Sequence, residues 1–155
     1  MTTVKRMLKS AVVLILGGVM LASCAATVQC SPERAESACR SAATVQVYIY
    51  EDEQAYELDG EDIAPYLEGQ WTEAARSRGS DKLVSVTLDT QYEVCCFDGG
   101  SAMIYYGYTG GVFNRDRQYY SFEPDIGIDS MIEYVRTNGK KVETKKDGSP
   151  LAAGD

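Results

Sequence analysis

Tyrosine and arginine side chains offer most of the recognition chemistry in this sequence. Of the 11 tyrosines, five cluster with two arginines between residues 105 and 120. A tyrosine ring joins a flat apolar face to a hydrogen-bonding hydroxyl, and arginine pairs well with carboxylates and phosphates. Because both residue types are frequent at the centre of protein interfaces, we interpret the cluster as a partner-binding surface. The alternative is that the aromatic residues only pack within strands. The cluster consists of Tyr105, Tyr106, Tyr108, Arg115, Arg117, Tyr119 and Tyr120.

Catalytic chemistry is poorly represented. The chain contains no histidine, which excludes histidine general bases, Ser-His-Asp triads and most zinc sites. The carboxylates at 51–53 and 59–62 lack the spacing of an EF-hand loop and are typical of solvated turns. We therefore predict no enzymatic activity, no metal and no cofactor. A hydrolase that uses a pair of carboxylates is the remaining catalytic alternative.

The N-terminal residues have the order of a secretory signal. A cationic segment from Lys5 to Lys9 precedes an apolar run from Ala11 to Ala22, which is shorter than a membrane-spanning helix. The motif Leu21-Ala22-Ser23-Cys24 resembles the lipobox of bacterial lipoproteins. The resemblance implies that residues 1–23 are removed and that Cys24 is acylated. Ala25 at the next position implies an outer-membrane lipoprotein facing the periplasm, or the outer face of the plasma membrane in a host with one membrane.

Four further cysteines would occupy an oxidising compartment, where disulfides form. Two of them are adjacent in a predicted strand, so that their side chains should point to opposite faces. The other two flank a predicted short helix that begins at Ser31 and Pro32, and its ends lie too far apart for a disulfide. We therefore predict that each N-terminal cysteine bonds one of the central pair. A metal or redox site is the alternative. The four residues are Cys30, Cys39, Cys95 and Cys96.

The charge balance narrows the class of partner. The whole chain carries −8, and removal of 1–23 leaves 12 basic and 23 acidic residues, a net charge of −11. Nucleic acid is therefore an unsuitable partner, and anionic lipid surfaces should repel the domain. We expect membrane contact through the acyl anchor only, and the negative charge favours a basic protein partner.

Hydrophobic periodicity predicts a single small α+β domain, with a mostly antiparallel sheet, two amphipathic helices and a disulfide clamp. The predicted helices cover 62–78, anchored in the core by Trp71, and 130–138. We expect a lipid-anchored tether with a short helix over 24–43, the domain over 44–139 and a flexible tail over 140–155. The predicted strands cover 44–50, 55–58, 82–89, 92–97, 102–109 and 118–122.

Residues 45–94 resemble the periplasmic domain of the ExbD/TolR family, whose members pass energy from the inner membrane to the outer one. The resemblance implies a strand, strand, helix, strand order for this third of the chain, without the family's transmembrane helix and its proton-carrying aspartate. The matching pieces are Tyr56-Glu57-Leu58-Asp59-Gly60, the Leu67/Trp71 segment, Val84-Ser85-Val86 with Asp89, and Tyr92-Glu93-Val94.

These patterns together predict a lipid-anchored envelope protein that binds a periplasmic or envelope protein. Adaptor, exclusion, immunity and inhibitor roles all fit this description. The alternative is a lipoprotein that binds glycan or peptidoglycan through its tyrosines.

Overall fold

One eight-stranded antiparallel sheet organises the fold of this computed structural model, which describes residues 29–75, 81–88, 91–107 and 116–143. The helical elements are α1 (Pro32–Ser41), α2 (Gly60–Ile63), a 3-10 turn (Ala64–Leu67) and α3 (Ile128–Asn138). The strands are β1 (Val45–Ile49), β2 (Gln54–Leu58), β3 (Gly69–Glu73), β4 (Lys82–Leu88), β5 (Tyr92–Phe97), β6 (Ser101–Tyr106), β7 (Asp116–Pro124) and β8 (Lys140–Val142). Their order across the sheet is β3-β7-β6-β5-β4-β1-β2-β8. The predicted α+β class and the antiparallel sheet are confirmed.

The hydrophobic core lies between one face of this sheet and the three helices. Side chains alternate between the faces of a strand, and the register aligns Tyr56, Val47, Val86, Val94 and Ile104 in a row across five strands. Each of these five residues is at most 4% exposed. We call this side the core face. The opposite side, which no helix covers among the described residues, is the helix-free face.

The predicted short helix forms and closes the core face. Ser31 caps α1 by accepting a hydrogen bond from the backbone N–H of Arg34, and Pro32 opens the first turn. At its other end α1 runs against Gly60, where a Cβ atom would lie only 2.0 Å from the carbonyl oxygen of Cys39. A glycine is therefore required at residue 60 by packing against the end of α1. This helix belongs to the core and not to a free tether.

The C-terminal helix also forms, two residues earlier than predicted. It begins at Ile128 and ends at Asn138, and the N–H of the C-cap residue Gly139 donates to the carbonyl of Val135. The chain then continues into β8, which pairs with β2. The sheet therefore extends three residues beyond the predicted domain boundary at 139.

The predicted helix over 62–78 is wrong for residues 62–75, and residues 76–78 lie outside the described ranges. Within this segment the structure places α2, the 3-10 turn and then the edge strand β3, which pairs with β7. Gly69 has a φ of +149° and its Cα lies so close to the backbone of Glu123 that a Cβ would be 2.2 Å from that carbonyl oxygen. Pairing with a distant strand therefore overrides the local helical spacing. Trp71 still contacts the core, but from a strand: its ring stacks on Phe122 with centroids 3.8 Å apart.

The predicted disulfide clamp is absent, because all four of the cysteines in the described ranges are buried free thiols. Cys96 lies on the core face and Cys95 on the helix-free face, so the prediction that their side chains diverge is confirmed. The sheet itself separates Cys95 from the two N-terminal thiols. Cys39 instead donates to the carbonyl of Gly60 at 3.3 Å. Burial raises the pKa of Cys39 and of Cys96 to about 12. In place of disulfides, the packing of α1 holds the N-terminal segment against the sheet.

Candidate functional site

Four half-buried tyrosines lie on the helix-free face, and we call them the tyrosine face. They are Tyr48, Tyr50, Tyr105 and Tyr119. The strand register places Tyr48, Ser85, Cys95, Met103 and Tyr119 in one row across β1, β4, β5, β6 and β7. Tyr48 and Tyr50 pack edge to face, with ring centroids 4.9 Å apart. The tyrosines therefore lie on or directly after β1, β6 and β7, with Ser85, Cys95 and Met103 between Tyr48 and Tyr119 in the row.

A small polar cluster lies beneath these rings. Ser85 is 4% exposed, and its hydroxyl donates to Oε1 of Glu93 in a short hydrogen bond. The thiol of Cys95, 0% exposed, lies 3.5 Å from both Ser85 Oγ and Glu93 Oε1. Glu93 itself is half-buried. A buried polar group is costly unless it is hydrogen-bonded, and here each group satisfies its neighbour.

Two cations border the tyrosine face. Lys82 Nζ lies 5.5 Å from the ring centroid of Tyr50, and Arg117 Cζ lies 5.9 Å from that of Tyr119. These distances suit cation–π contact, which is worth about 0.5–1 kcal/mol at exposed sites. Both side chains are exposed. Both charges therefore lie where a ligand on this face can reach them.

The hydroxyls of Tyr50 and Tyr105 remain protonated over the physiological pH range, because the pKa of each is raised. Burial raises the pKa of Tyr50 and of Tyr105, and nearby Cys95 and Glu93 raise it further. A neutral hydroxyl can donate as well as accept a hydrogen bond. The face therefore presents apolar rings with donor tips, which suits a partner that offers carbonyl or carboxylate oxygens.

The structure divides the predicted partner-binding cluster between the two faces of the sheet. Tyr105, Arg117 and Tyr119 lie on the helix-free face. Tyr106 and Tyr120 lie on the core face, because each immediately follows one of these tyrosines in its strand. Tyr108 and Arg115 lie outside the described residues, as does Cys24.

The two tyrosines on the core face have structural contacts. Tyr106 packs against Tyr92, with ring centroids 5.1 Å apart. Tyr120 is 4% exposed and donates its hydroxyl to the carbonyl of Cys30 at 2.8 Å. Tyr120 therefore stabilises the domain and is not available to a partner, whereas Tyr106 is half-buried against the core.

Tyr48, Tyr50, Lys82 and Glu93 were not in the predicted cluster. The signal that could have found them is the period-two alternation of β1 and β5. Because Val47 and Ile49 face the core, Tyr48 and Tyr50 must face the other way. The long-range order of the strands, which brings β1 near β7, was not visible in the sequence.

A shallow groove of about 400 Å³ lies elsewhere, between the end of α1 and the start of α2. Acidic residues at 59, 61 and 62 line it together with Arg40. The guanidinium of Arg40 is engaged by Glu36 at 3.0 Å and by Glu68. The groove therefore offers mainly solvated carboxylates, in contrast with the aromatic surface of the tyrosine face.

The described ranges also lack two other kinds of feature. Their helices have neither the length nor the apolar run that a membrane span requires. They bring together no group of three or more cysteine, aspartate or glutamate side chains suited to hold a metal ion. In comparisons with known proteins, the chain matches no protein-family model, no curated protein and no solved structure.

Proposed function

We propose that this chain is a lipid-anchored envelope protein that binds a protein partner through the tyrosine face. The single observation that carries the proposal is the concentration of four half-buried tyrosines and two exposed cations on the helix-free face. A sheet face with no covering layer usually carries small polar or charged residues toward water. This one carries the residue types that dominate the binding energy of protein interfaces.

The packing of the rings supports the same conclusion. Binding normally costs about 0.5–1.5 kcal/mol for each rotamer-rich side chain that becomes ordered. Tyr48 and Tyr50 already hold each other edge to face, and Tyr119 already contacts Arg117. Since these side chains are ordered before the partner arrives, more of the contact energy is available for affinity.

The charge of the chain supports a basic partner. A net charge of −11 on the mature chain, which follows from the sequence once residues 1–23 are removed, attracts a cationic protein over long range. Such steering raises association rates, and it weakens as salt is added.

Photo-crosslinking in intact host cells tests the proposal. A benzophenone side chain replaces Ser121, which is exposed on the helix-free face, or Ser37, which is exposed on α1 as the matched control. We expect one dominant protein adduct from residue 121 and none of that size from residue 37. Equal adducts from both positions, or none from either, would contradict the proposal. Adducts of residue 121 with murein fragments alone would favour the glycan-binding alternative.

The lipid anchor is tested separately. Cys24→Ser should leave an unacylated precursor that retains residues 1–23, because the acylated cysteine is the residue at which the lipobox resemblance implies cleavage. Normal processing of that variant, measured by mass spectrometry, would refute the anchor without affecting the tyrosine face.

A further inference from the structure

Glu93 places a half-buried carboxylate in the middle of the tyrosine face. The register sets it between Thr87 on β4 and Tyr105 on β6. Its Oε1 accepts from Ser85 and lies 3.5 Å from the thiol of Cys95. Oε2 accepts no hydrogen bond from any residue that the structure describes.

Among the described residues no cation forms an ion pair with this carboxylate, although Lys82 lies close enough to act electrostatically on its neighbours Cys95 and Tyr105. The ion pairs there involve Arg40 and Arg136, not Glu93. The two cations of the face contact tyrosine rings instead: Lys82 lies over Tyr50, and Arg117, the cross-strand partner of Tyr105, lies over Tyr119. Removing a charge from water without pairing it is unfavourable. Binding of a cation from outside would therefore stabilise this half-buried carboxylate.

We propose that Glu93 and the ring of Tyr105 beside it receive a basic side chain of the partner. A carboxylate next to an aromatic face offers a cation both a charge-assisted hydrogen bond and the negative quadrupole of the ring. Arginine suits the site best, because its planar guanidinium can stack on tyrosine while one N–H reaches Oε2. The identification of this ligand as part of a protein rests on the proposed function.

The test is an NMR titration of the full chain, acylated in detergent micelles, with acetyl-arginine-amide. Acetyl-citrulline-amide is the reference ligand, because citrulline has nearly the same shape without the charge. We expect the arginine ligand to bind about tenfold more tightly, which is the effect of one charge-assisted hydrogen bond. The amide shifts should centre on β5 and β6 around Glu93.

Two variants separate the roles of charge and fold. Glu93→Gln keeps the acceptor for Ser85 but removes the charge, so it should bind the two ligands equally. Glu57→Gln is the matched control, because Glu57 lies in the same register row, three strands away. It should keep the tenfold preference.

Equal binding of both ligands by the unaltered protein would overturn the inference, as would shifts centred away from β5 and β6. The shift map needs no variant, so the inference stays testable even if Glu93→Gln does not fold. A preference for arginine that persists in a folded Glu93→Gln variant would also overturn it. Failure of crosslinking at residue 121 with an intact arginine preference would instead refute the proposed function and leave this site standing.

Discussion

Tyr119 and Tyr120 are neighbours in β7, and replacing Tyr120 by phenylalanine should lower the stability of the domain much more than the same change at Tyr119. Tyr120→Phe keeps the ring on the core face, where it packs edge to face against Trp71 with centroids 5.5 Å apart. It removes only the hydroxyl that donates to the carbonyl of Cys30. Tyr119→Phe removes a hydroxyl from the helix-free face.

The expected magnitudes follow from burial. A neutral hydrogen bond contributes about 1 kcal/mol, and a buried carbonyl left without its donor costs more. Tyr120 is 4% exposed and Cys30 is 2% exposed. Tyr120→Phe should therefore lower the free energy of unfolding by about 1–2 kcal/mol. Tyr119→Phe should change it by less than about 0.5 kcal/mol.

Urea unfolding followed by tryptophan fluorescence measures both changes. Trp71 is the chain's only tryptophan, and it contacts both Tyr120 and Phe122. It therefore reports loss of the packing that the hydrogen bond supports. If Tyr119→Phe costs as much as Tyr120→Phe, the assignment of the two residues to opposite faces is wrong.

The same pair predicts a pH dependence. Burial, and then the nearby charge of Glu73, raise the pKa of Tyr120 to about 12 from an ordinary value of 10.0. Above pH 10 the unfolded chain releases this proton while the folded chain keeps it, so stability falls as pH rises toward 12. The stability difference between the unaltered protein and Tyr120→Phe should therefore narrow across that window. A difference that is constant from pH 7 to 12 would contradict the burial of this hydroxyl.

Three other expectations concern packing, charge and thiols. Gly60→Ala should lower the free energy of unfolding by about 3 kcal/mol, because the added Cβ meets backbone atoms of α1. Gly127→Ala is the control: it has open space around it and should cost about 0.5 kcal/mol. Similar melting temperatures for the two variants would argue against the contact at Gly60. Arg136→Met should lower the melting temperature near neutral pH, because Arg136 holds the pKa of Asp52 below its ordinary 3.8. The difference in melting temperature between the unaltered protein and the variant should shrink as pH falls below 3.8. A difference that does not change with pH would exclude the ion pair. Thiol titration without reductant should find the four described cysteines unreactive in the native protein and all four reactive in urea, whereas disulfides would leave them unreactive in both.

The parts of the fold that sequence reasoning predicted are those set by local patterns. The alternation in β1 identified Val47 and Ile49 as the residues on its core side, and Ser31 with Pro32 marked the start of α1. The segment after Asp59 was mispredicted because helical spacing from Ile63 to Trp71 also fits a short helix, a 3-10 turn and a strand. What decides among them is pairing with β7, roughly fifty residues further on, which no local window contains.

The candidate site was predicted in part for the same reason. Clustering of tyrosines pointed to Tyr105 and Tyr119, but sequence proximity also drew in Tyr106 and Tyr120. Alternation separates each pair, and burial against the helices decides which member faces the core. Glu93 gave no signal of its own, because its surroundings depend on the register of β4, β5 and β6.

The bond between Tyr120 and Cys30 sets how far the domain can stand from a membrane. With Cys24 acylated as proposed, only five residues, 25–29, lie between the acylated cysteine and Cys30, which is held against β7. A fully extended chain spans about 20 Å between these two cysteines. The domain would therefore sit directly over the headgroups, with little freedom to search the space beyond. Its partner must then come to the membrane surface, and proteins that stay deeper in the envelope would be out of reach.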